Sequence, residues 1–129
     1  MKRVITFGTF DVFHIGHLRL LERACTLGDH LSVGISTDAL NMGKKGRSPV
    51  YSQDERLRIV GALKFVDAVF LEESLELKRH YLQTHRADVL VMGDDWRGRF
   101  DEFRDICEVV YLERTPAIST TATIEKIRL

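Results

Sequence analysis

Short apolar runs alternate with longer amphipathic segments along this chain. Runs of Val, Ile, Leu and Phe predict five buried strands, at residues 4–7, 31–35, 66–71, 88–92 and 109–112. Apolar residues at helical spacing predict helices at residues 17–27, 52–63, 75–85, 100–106 and 120–129. Residues 37–51 are rich in Gly, Lys, Asn and Ser, and this composition predicts a long loop.

Strands that alternate with helices favour crossover connections and a parallel sheet. The sequence therefore predicts an α/β fold spanning residues 1–129: a single-domain, Rossmann-like sheet of five parallel strands with helices on both faces. Ligands of such sheets lie beyond the carboxyl ends of the strands. This rule selects the loops at residues 8–17, 36–51, 93–99 and 113–121.

Length and charge narrow the classes of function. The 129 residues suit one domain, and 19 basic against 19 acidic side chains count against a general nucleic-acid binder. No apolar stretch approaches the ~20 residues of a membrane span, and no secretory signal is visible. Cys25 and Cys107 have no metal-ligand spacing, so we expect reduced thiols in a cytoplasmic protein. The charge is nevertheless uneven, and a local basic cluster could hold a small polyanion.

The first selected loop carries the strongest chemical signal. Gly8 and Gly16 allow close backbone approach to a ligand. His14 and His17 are three residues apart at the opening of a helix, so both can face one site. A helix N-terminus suits phosphate, and two imidazoles there could stabilise charge that develops in a transition state. The alternatives are a metal-binding pair and ordinary core or surface histidines.

With Gly8-Thr-Phe-Asp11 before it, His14-Ile-Gly-His17 resembles the signature of the HxGH nucleotidyltransferase superfamily, and within it the cytidylyltransferase family. Residues 29–38, 91–96 and 114–121 extend the similarity over nearly the whole chain. The resemblance implies transfer of a cytidylyl group from CTP to glycerol 3-phosphate, giving CDP-glycerol and pyrophosphate with Mg²⁺. It also implies a homodimer. The product could feed wall teichoic acid or another glycerol-phosphate polymer.

The resemblance also implies which residues act. Catalytic roles go to His14, His17 and Lys44, with His17 on the transferred α-phosphate. Nucleotide contacts go to Thr9, Phe10, Asp11, His14, Gly16, His17, Asp94, Arg114, Ser119 and Thr120. Acceptor-phosphate contacts go to Lys44, Arg56, Lys64 and Asp11. Metal ligands are not assigned, and Asp11 could either organise the first loop or help place Mg²⁺.

Several positions keep a second reading or depart from the family pattern. Lys44, Lys45 and Arg47 could be a solvated charge run, and the loop is one residue longer than the pattern. Lys64 replaces an arginine and loses its bidentate fork, and Ala117 replaces a glycine.

The third and fourth selected loops keep two readings each. Asp94 and Asp95 could accept from the exocyclic amine of cytosine or bind Mg²⁺, and Trp96 could stack on a ligand or simply pack. Ser119 and Thr120 could bind phosphate or cap a helix.

Two other functions remain open from the sequence. One is a related nucleotidyltransferase that uses ATP or another alcohol or sugar phosphate, such as phosphoethanolamine. The other is a nucleotide-binding regulatory module without catalysis. Neither requires a nucleic-acid partner or a membrane span.

Overall fold

The computed structural model describes residues 1–114 and 119–128. Within them, five strands form one sheet: β1 (Arg3–Gly8), β2 (His30–Ser36), β3 (Ala68–Glu72), β4 (Val89–Gly93) and β5 (Glu108–Leu112). The order is β3-β2-β1-β4-β5, and every neighbouring pair is parallel. The predicted five-stranded parallel sheet is therefore confirmed.

Five α-helices connect or follow the strands: α1 (Ile15–Cys25), α2 (Asp38–Lys45), α3 (Gln53–Gly61), α4 (Lys78–Thr84) and α5 (Thr120–Arg128). Short 3₁₀ turns lie at Leu75–Leu77, Asp94–Trp96 and Asp101–Asp105. In the described part of the chain, no helix is both long and apolar enough to cross a membrane.

Buried apolar side chains form two clusters, one on each face of the sheet. The first packs α1 and α3 on the strands and includes Val4, Leu21, Ala24, Leu31, Val33, Ile35, Val60, Val89 and Val91. The second packs α4 on the other face and includes Ile5, Phe7, Leu82, Leu90, Met92, Phe103 and Val109. Because consecutive β1 residues belong to opposite clusters, the sheet is covered on both sides, as predicted.

The prediction of a loop throughout residues 37–51 is wrong, because α2 occupies its first half. Thr37 begins this helix by accepting a hydrogen bond from the Leu40 N–H at 3.1 Å. Gly46 ends it with φ of 72°, a left-handed conformation that suits glycine. Since α2 has only eight residues, its caps and its buried Asn41 stabilise it more than helix propensity does.

The strand order places the ligand crevice. The chain moves from β1 outward to β2 and β3, and then returns to β4 on the other side of β1. This reversal opens a crevice beyond the carboxyl ends of β1 and β4, where open α/β sheets bind their ligands.

Candidate active site

A cavity of about 700 Å³ lies at the carboxyl ends of the strands. All four selected loops line it, with Asp11, Lys44, Trp96 and Arg114 as one lining residue from each. The end of β3 lines it as well, through Glu72, although the sequence did not single out that segment.

The two histidines of the first loop cap the helix that follows them. His14 is the N-cap residue of α1, and its Nδ1 accepts from the Gly16 N–H at 3.1 Å. The Nδ1 of His17 in turn accepts from the His14 N–H at 3.3 Å. The two rings stack with their centroids 3.8 Å apart. This reciprocal capping fixes where α1 begins and how both rings are oriented.

The capping contacts also determine which ring nitrogen carries the proton. Because Nδ1 of each neutral histidine accepts a backbone N–H, the proton must lie on Nε2. Nε2 of His14 lies 3.4 Å from Oγ1 of Thr120, whose hydroxyl donates to the Asp11 carbonyl at 3.0 Å. Nε2 of His17 has no partner among the described residues, and His17 borders the cavity. Nε2–H of His17 is therefore left without a protein partner beside the cavity, whereas Nε2–H of His14 meets the Thr120 hydroxyl at the cavity wall.

Burial keeps both imidazoles neutral. The rings of Phe10 and Phe13 lie 5.3 and 5.4 Å from that of His17. Burial, and then the adjacent His14, lower the pKa of His17 to about 3, although Asp11 acts in the opposite direction. The pKa of His14 is lowered as well, by burial first and by Arg114 second. In the protein without substrate, the pair is therefore neutral at neutral pH and can donate hydrogen bonds.

The backbone of the first loop is strained. Phe10 and Val12 have φ of 53° and 46°, left-handed values that are unfavourable for bulky and β-branched side chains. The strain brings the Phe10 ring over Gly8, where a Cβ atom would lie 2.7 Å from the ring. Gly8 therefore admits this ring, and not only a ligand as the sequence suggested. Such strain is concentrated at functional sites.

Asp11 organises this region, which is one of the roles predicted for it; its contacts with the substrates stay predictions. Its Oδ1 accepts from the N–H groups of Val12 and Tyr51 at 3.0 and 2.8 Å. Its Oδ2 accepts from the Val50 N–H at 2.7 Å. With both oxygens engaged by backbone donors, Asp11 ties the first loop to the segment between α2 and α3.

A polar network fixes the hydroxyl of Thr9. Its Oγ1 donates to Oδ1 of the buried Asn41 at 3.0 Å and accepts from the Ser36 hydroxyl at 3.1 Å. The Asn41 amide group donates to Oγ of Ser36 at 2.8 Å, which closes the network. The Thr9 hydroxyl proton is therefore already used within the protein, and the Thr9 contact with the nucleotide that the resemblance implies stays a prediction.

Arg56 does not reach the cavity, contrary to its predicted role as an acceptor-phosphate contact. It is 0% exposed. Its guanidinium donates to the carbonyls of Tyr51, Thr9 and Ser36 at 2.8–3.0 Å and to Asp38 at 2.8 Å. Arg56 therefore connects three segments of the site without lining the cavity.

Lys64 is also not brought to the site within this chain. It is exposed in the turn that follows α3 and precedes β3, so it lies at the amino end of the strands. The cavity lies at the opposite, carboxyl ends of the strands.

The basic cluster of the second loop is brought to the cavity. Lys44, Lys45 and Arg47 all line it, from the end of α2 and the residues just after it. Partial removal from water lowers the pKa of Lys44, and Lys45 lowers it further, while Glu72 raises it. The pKa of Lys44 therefore depends on the charges of both Lys45 and Glu72.

The loops after β4 and β5 meet on the opposite side. Asp95 and Trp96 line the cavity, whereas the predicted Asp94 does not. Asp95 pairs with Arg114, with the carboxylate and guanidinium atoms 3.0 Å apart in an exposed position. Trp96 packs on Phe100 with ring centroids 5.6 Å apart, and the guanidinium carbon of Arg99 lies 5.7 Å from its ring centroid, so the stacking on a ligand stays a prediction.

The residues at the start of α5 make different contacts, and one of them caps the helix as predicted. Ser119, rather than Thr120 or Thr121, caps the helix, because its Oγ accepts from the Ala122 N–H at 3.0 Å. Thr120 contacts the first loop through Asp11 and His14. Ser119 and Thr120 both line the cavity, as does Gly16. Ala117 lies outside the described residues.

Sequence reasoning missed an ion pair in the wall of the cavity. Glu72 at the end of β3 and Lys78 at the start of α4 are 2% and 3% exposed. Their Oε2 and Nζ atoms are 2.6 Å apart. The available signal was an acidic residue at the end of an apolar run, followed six residues later by a lysine.

Among residues 1–114 and 119–128, no group of three or more His, Cys, Asp and Glu side chains is placed to hold a metal ion. Mg²⁺ in nucleotide-dependent enzymes is bound mainly by substrate phosphates and one or two carboxylates, so the substrate would supply most ligands here.

Comparisons with known proteins show the family of the chain. A family model described as cytidylyltransferase-like matches residues 5–126. A glycerol-3-phosphate cytidylyltransferase of Bacillus subtilis (strain 168) is 50% identical over 127 residues, which cover 98% of each chain. The protein of the same name from Staphylococcus aureus (strain NCTC 8325 / PS 47) is 46% identical, over 94% of this chain and 91% of its own.

One solved structure supports the fold. A lipopolysaccharide core biosynthesis protein from Thermoplasma volcanium GSS1 superposes with a TM-score of 0.76 over 89% of this chain and 98% of that chain. Its sequence identity is 23%, so the comparison concerns the fold alone.

Proposed function

The chain belongs to the cytidylyltransferase-like family, and from this membership we propose that it transfers the cytidylyl group of CTP to glycerol 3-phosphate. The products are CDP-glycerol and pyrophosphate. The observation that carries the proposal is the pair of neutral, stacked imidazoles at the opening of α1, which line the cavity and use Nδ1 for capping, so that Nε2–H of His17 has no protein partner among the described residues.

The reaction requires one bond to form and one to break. A phosphate oxygen of the acceptor attacks the α-phosphorus of CTP in line with the bridging oxygen of the β-phosphate. The bond to that bridging oxygen breaks, and its electron pair leaves with pyrophosphate. Because the attacking oxygen is already anionic at neutral pH, no general base is required. The protein has to align the two substrates and stabilise the charge on the leaving group.

The histidines supply donors that match this need. Nε2–H of His17 is directed at the α-phosphate, and His14 beside it completes a donor pair at the positive end of the α1 dipole. A charged imidazole would form an ion pair with the phosphate and would hold the substrate as tightly as the transition state. A neutral donor binds phosphate without that ion pair. Their capping contacts keep the rings oriented before the substrate arrives, so little reorganisation is needed during reaction.

The two sides of the cavity suit the two substrates. Arg114, Ser119 and Thr120 lie on the β4–β5 side, together with Trp96, and are suited to the nucleotide. Lys44 and Lys78 lie on the β3 side and place two ammonium groups where a phosphorylated acceptor would enter. An acceptor phosphate held there is adjacent to His17, whose loop follows the central strand β1.

We propose that Mg²⁺ enters on the triphosphate of CTP. Bound there, it would neutralise charge on the leaving pyrophosphate. Asp11 is not its ligand in this proposal, because three backbone N–H groups already occupy its carboxylate. Release of pyrophosphate measured against added Mg²⁺ and EDTA tests the requirement.

A substrate panel tests the proposed function. CTP, ATP, UTP and GTP are each combined with glycerol 3-phosphate, phosphoethanolamine and a sugar phosphate, and pyrophosphate release is measured. We expect CTP with glycerol 3-phosphate to give the highest kcat/KM. A His80→Ala variant, altered at an exposed position outside the cavity lining, is the matched control for histidine loss. No pyrophosphate from CTP with any acceptor, despite a CTP-induced rise in Tm, would instead indicate a regulatory module.

A further inference from the structure

The Glu72–Lys78 ion pair is the feature of the cavity that the proposed mechanism does not yet explain. Both side chains are almost completely buried, although both border the cavity. Removing two charges from water is costly, and an apolar pair of similar volume often stabilises a fold equally well. A buried pair that faces a ligand cavity is therefore more easily explained by binding than by folding.

The surroundings of Lys78 leave its ammonium group available to a ligand. Nζ lies 3.7 Å from the centroid of the Phe7 ring and 5.3 Å from that of Phe100. Its only hydrogen-bond partner in the described part of the chain is Glu72, although an ammonium group has three donors. One N–H donor of the ammonium is thus used by Glu72, and the other two have no hydrogen-bond partner among the described residues.

Two charged groups influence Lys78 from neighbouring elements. Glu72 at the end of β3 attracts the ammonium, and Lys44 on α2 repels it. The two lysines and one carboxylate carry a net charge of about +1, which leaves an unneutralised cation on this side of the cavity. A phosphate dianion lying between the lysines would relieve their repulsion.

We propose that Glu72 is a positioning residue that keeps the Lys78 ammonium charged and directed at the phosphate of the acceptor. The inference rests on the proposed function, because it names the subsite that receives the phosphorylated alcohol. Glu72 itself does not contact the phosphate, since two anions would repel each other. It acts through Lys78.

The sign of the effect on pH dependence follows from the charges. Burial lowers the pKa of Lys78, and the Glu72 carboxylate raises it again. Without that carboxylate, burial and Lys44 act unopposed, and the ammonium loses its proton at a lower pH. Acceptor binding should then fail earlier on the alkaline side, while CTP binding is unaffected.

The test compares Glu72→Gln with Glu73→Gln, which removes the same charge from an exposed neighbour outside the cavity lining. We expect Glu72→Gln to raise the KM for glycerol 3-phosphate roughly tenfold at pH 8, with the KM for CTP unchanged. The alkaline limb of kcat/KM for the acceptor should move down by about one pH unit. Glu73→Gln should keep the wild-type values.

A double variant separates positioning from general damage. Arginine stays protonated without an anionic partner, so Glu72→Gln with Lys78→Arg should return the alkaline limb to the wild-type pH or above. The proposal is overturned if Glu72→Gln behaves like Glu73→Gln, if both substrate KM values rise equally, or if the limb stays shifted in the double variant.

If Glu72→Gln fails to fold, Glu72→Asp tests the positioning role instead. Glu72→Asp keeps the charge but withdraws the carboxylate by one methylene, so we expect a raised acceptor KM with little movement of the alkaline limb. An unchanged acceptor KM in that variant would contradict the positioning role. If the wild-type enzyme releases no pyrophosphate with glycerol 3-phosphate, the proposed function fails first, and the two failures are distinguishable.

Discussion

Each of the two imidazoles in the first loop caps helix α1 through Nδ1, and the proposed mechanism gives Nε2–H of each a second role as a hydrogen-bond donor to substrate. Replacing either histidine by alanine therefore mixes two losses. An informative substitution removes one function and keeps the other.

His14→Asn makes this separation. Asparagine is a good N-cap residue, and its Oδ1 can accept from the Gly16 N–H as Nδ1 of His14 does. It has no group in the place of Nε2. We expect thermal stability close to that of the wild type and a kcat at least ~10²-fold lower, which is the scale of losing one transition-state donor. His14→Ala should lose turnover and also about 1 kcal/mol of stability. Near-full turnover of His14→Asn would contradict the donor role.

His17 should make stability depend on pH. Its pKa in the folded protein is about 3, below the value of about 6.5 in the unfolded chain. Between these values the unfolded state binds more protons, so stability is lost as pH falls from about 6.5 toward 3. We expect urea denaturation to show that the stability difference between wild type and His17→Gln shrinks by a few kcal/mol between pH 7 and pH 4. A difference that is constant with pH would contradict this assignment.

At the scale of elements, Arg56 connects α3 to the ends of β1 and β2. Its guanidinium satisfies carbonyl groups of three separate segments, so its contribution is structural. We expect Arg56→Lys to lower the stability by about 2–4 kcal/mol, because a lysine cannot serve all four acceptors. The KM for the acceptor should change no more than the KM for CTP. A selective rise in acceptor KM at unchanged Tm would instead support the phosphate contact that the sequence suggested.

The strands could be predicted from the sequence, whereas one of the helices could not. The buried strands were predictable, because apolar runs such as Val4–Phe7 occur where both faces of a sheet are covered. Helix α2 was not, because Thr37, Gly46 and the buried Asn41 stabilise it through caps and tertiary contacts. Local propensity does not report such contacts.

The site residues divide in the same way. His14 and His17 were found because their spacing and their place before a helix are both visible in the sequence. The sequence shows the charge of Arg56 but not its partners. It therefore predicts a phosphate contact, whereas Arg56 is a buried residue that connects segments of the protein. Glu72 and Lys78 were missed because only the folded chain brings the end of β3 and the start of α4 together at the cavity.

For the whole molecule, zero net charge conceals a local excess. The described residues that line the cavity include seven basic and five acidic side chains. The basic ones are Arg23, Lys44, Lys45, Arg47, Lys78, Arg114 and Arg128, and the acidic ones are Asp11, Glu72, Asp95, Glu113 and Glu125. A site that must hold a triphosphate beside a second phosphate needs this bias, although the protein as a whole does not.

Association of two chains is a second property of the whole molecule. The resemblance to the cytidylyltransferase family implies a homodimer, and large apolar side chains are exposed at Ile15, Met42 and Val50, among others. We expect sedimentation equilibrium at micromolar protein to give about twice the mass of one chain. A purely monomeric profile over the same range would contradict the expectation.

The dual use of the imidazoles couples the register of a helix to the chemistry of the cavity. Because His14 and His17 define the first turn of α1, inserting one residue between them would rotate His17 and the residues after it by about 100° relative to His14. Both the caps and the donors would be misdirected at once. The four-residue span between the histidines can therefore tolerate no change in length, whereas the connection between α2 and α3 can vary as long as the backbone N–H groups of Val50 and Tyr51 still reach Asp11. An insertion in the connection between α2 and α3 should therefore leave the enzyme active. An insertion between the two histidines should abolish activity in a protein that remains folded.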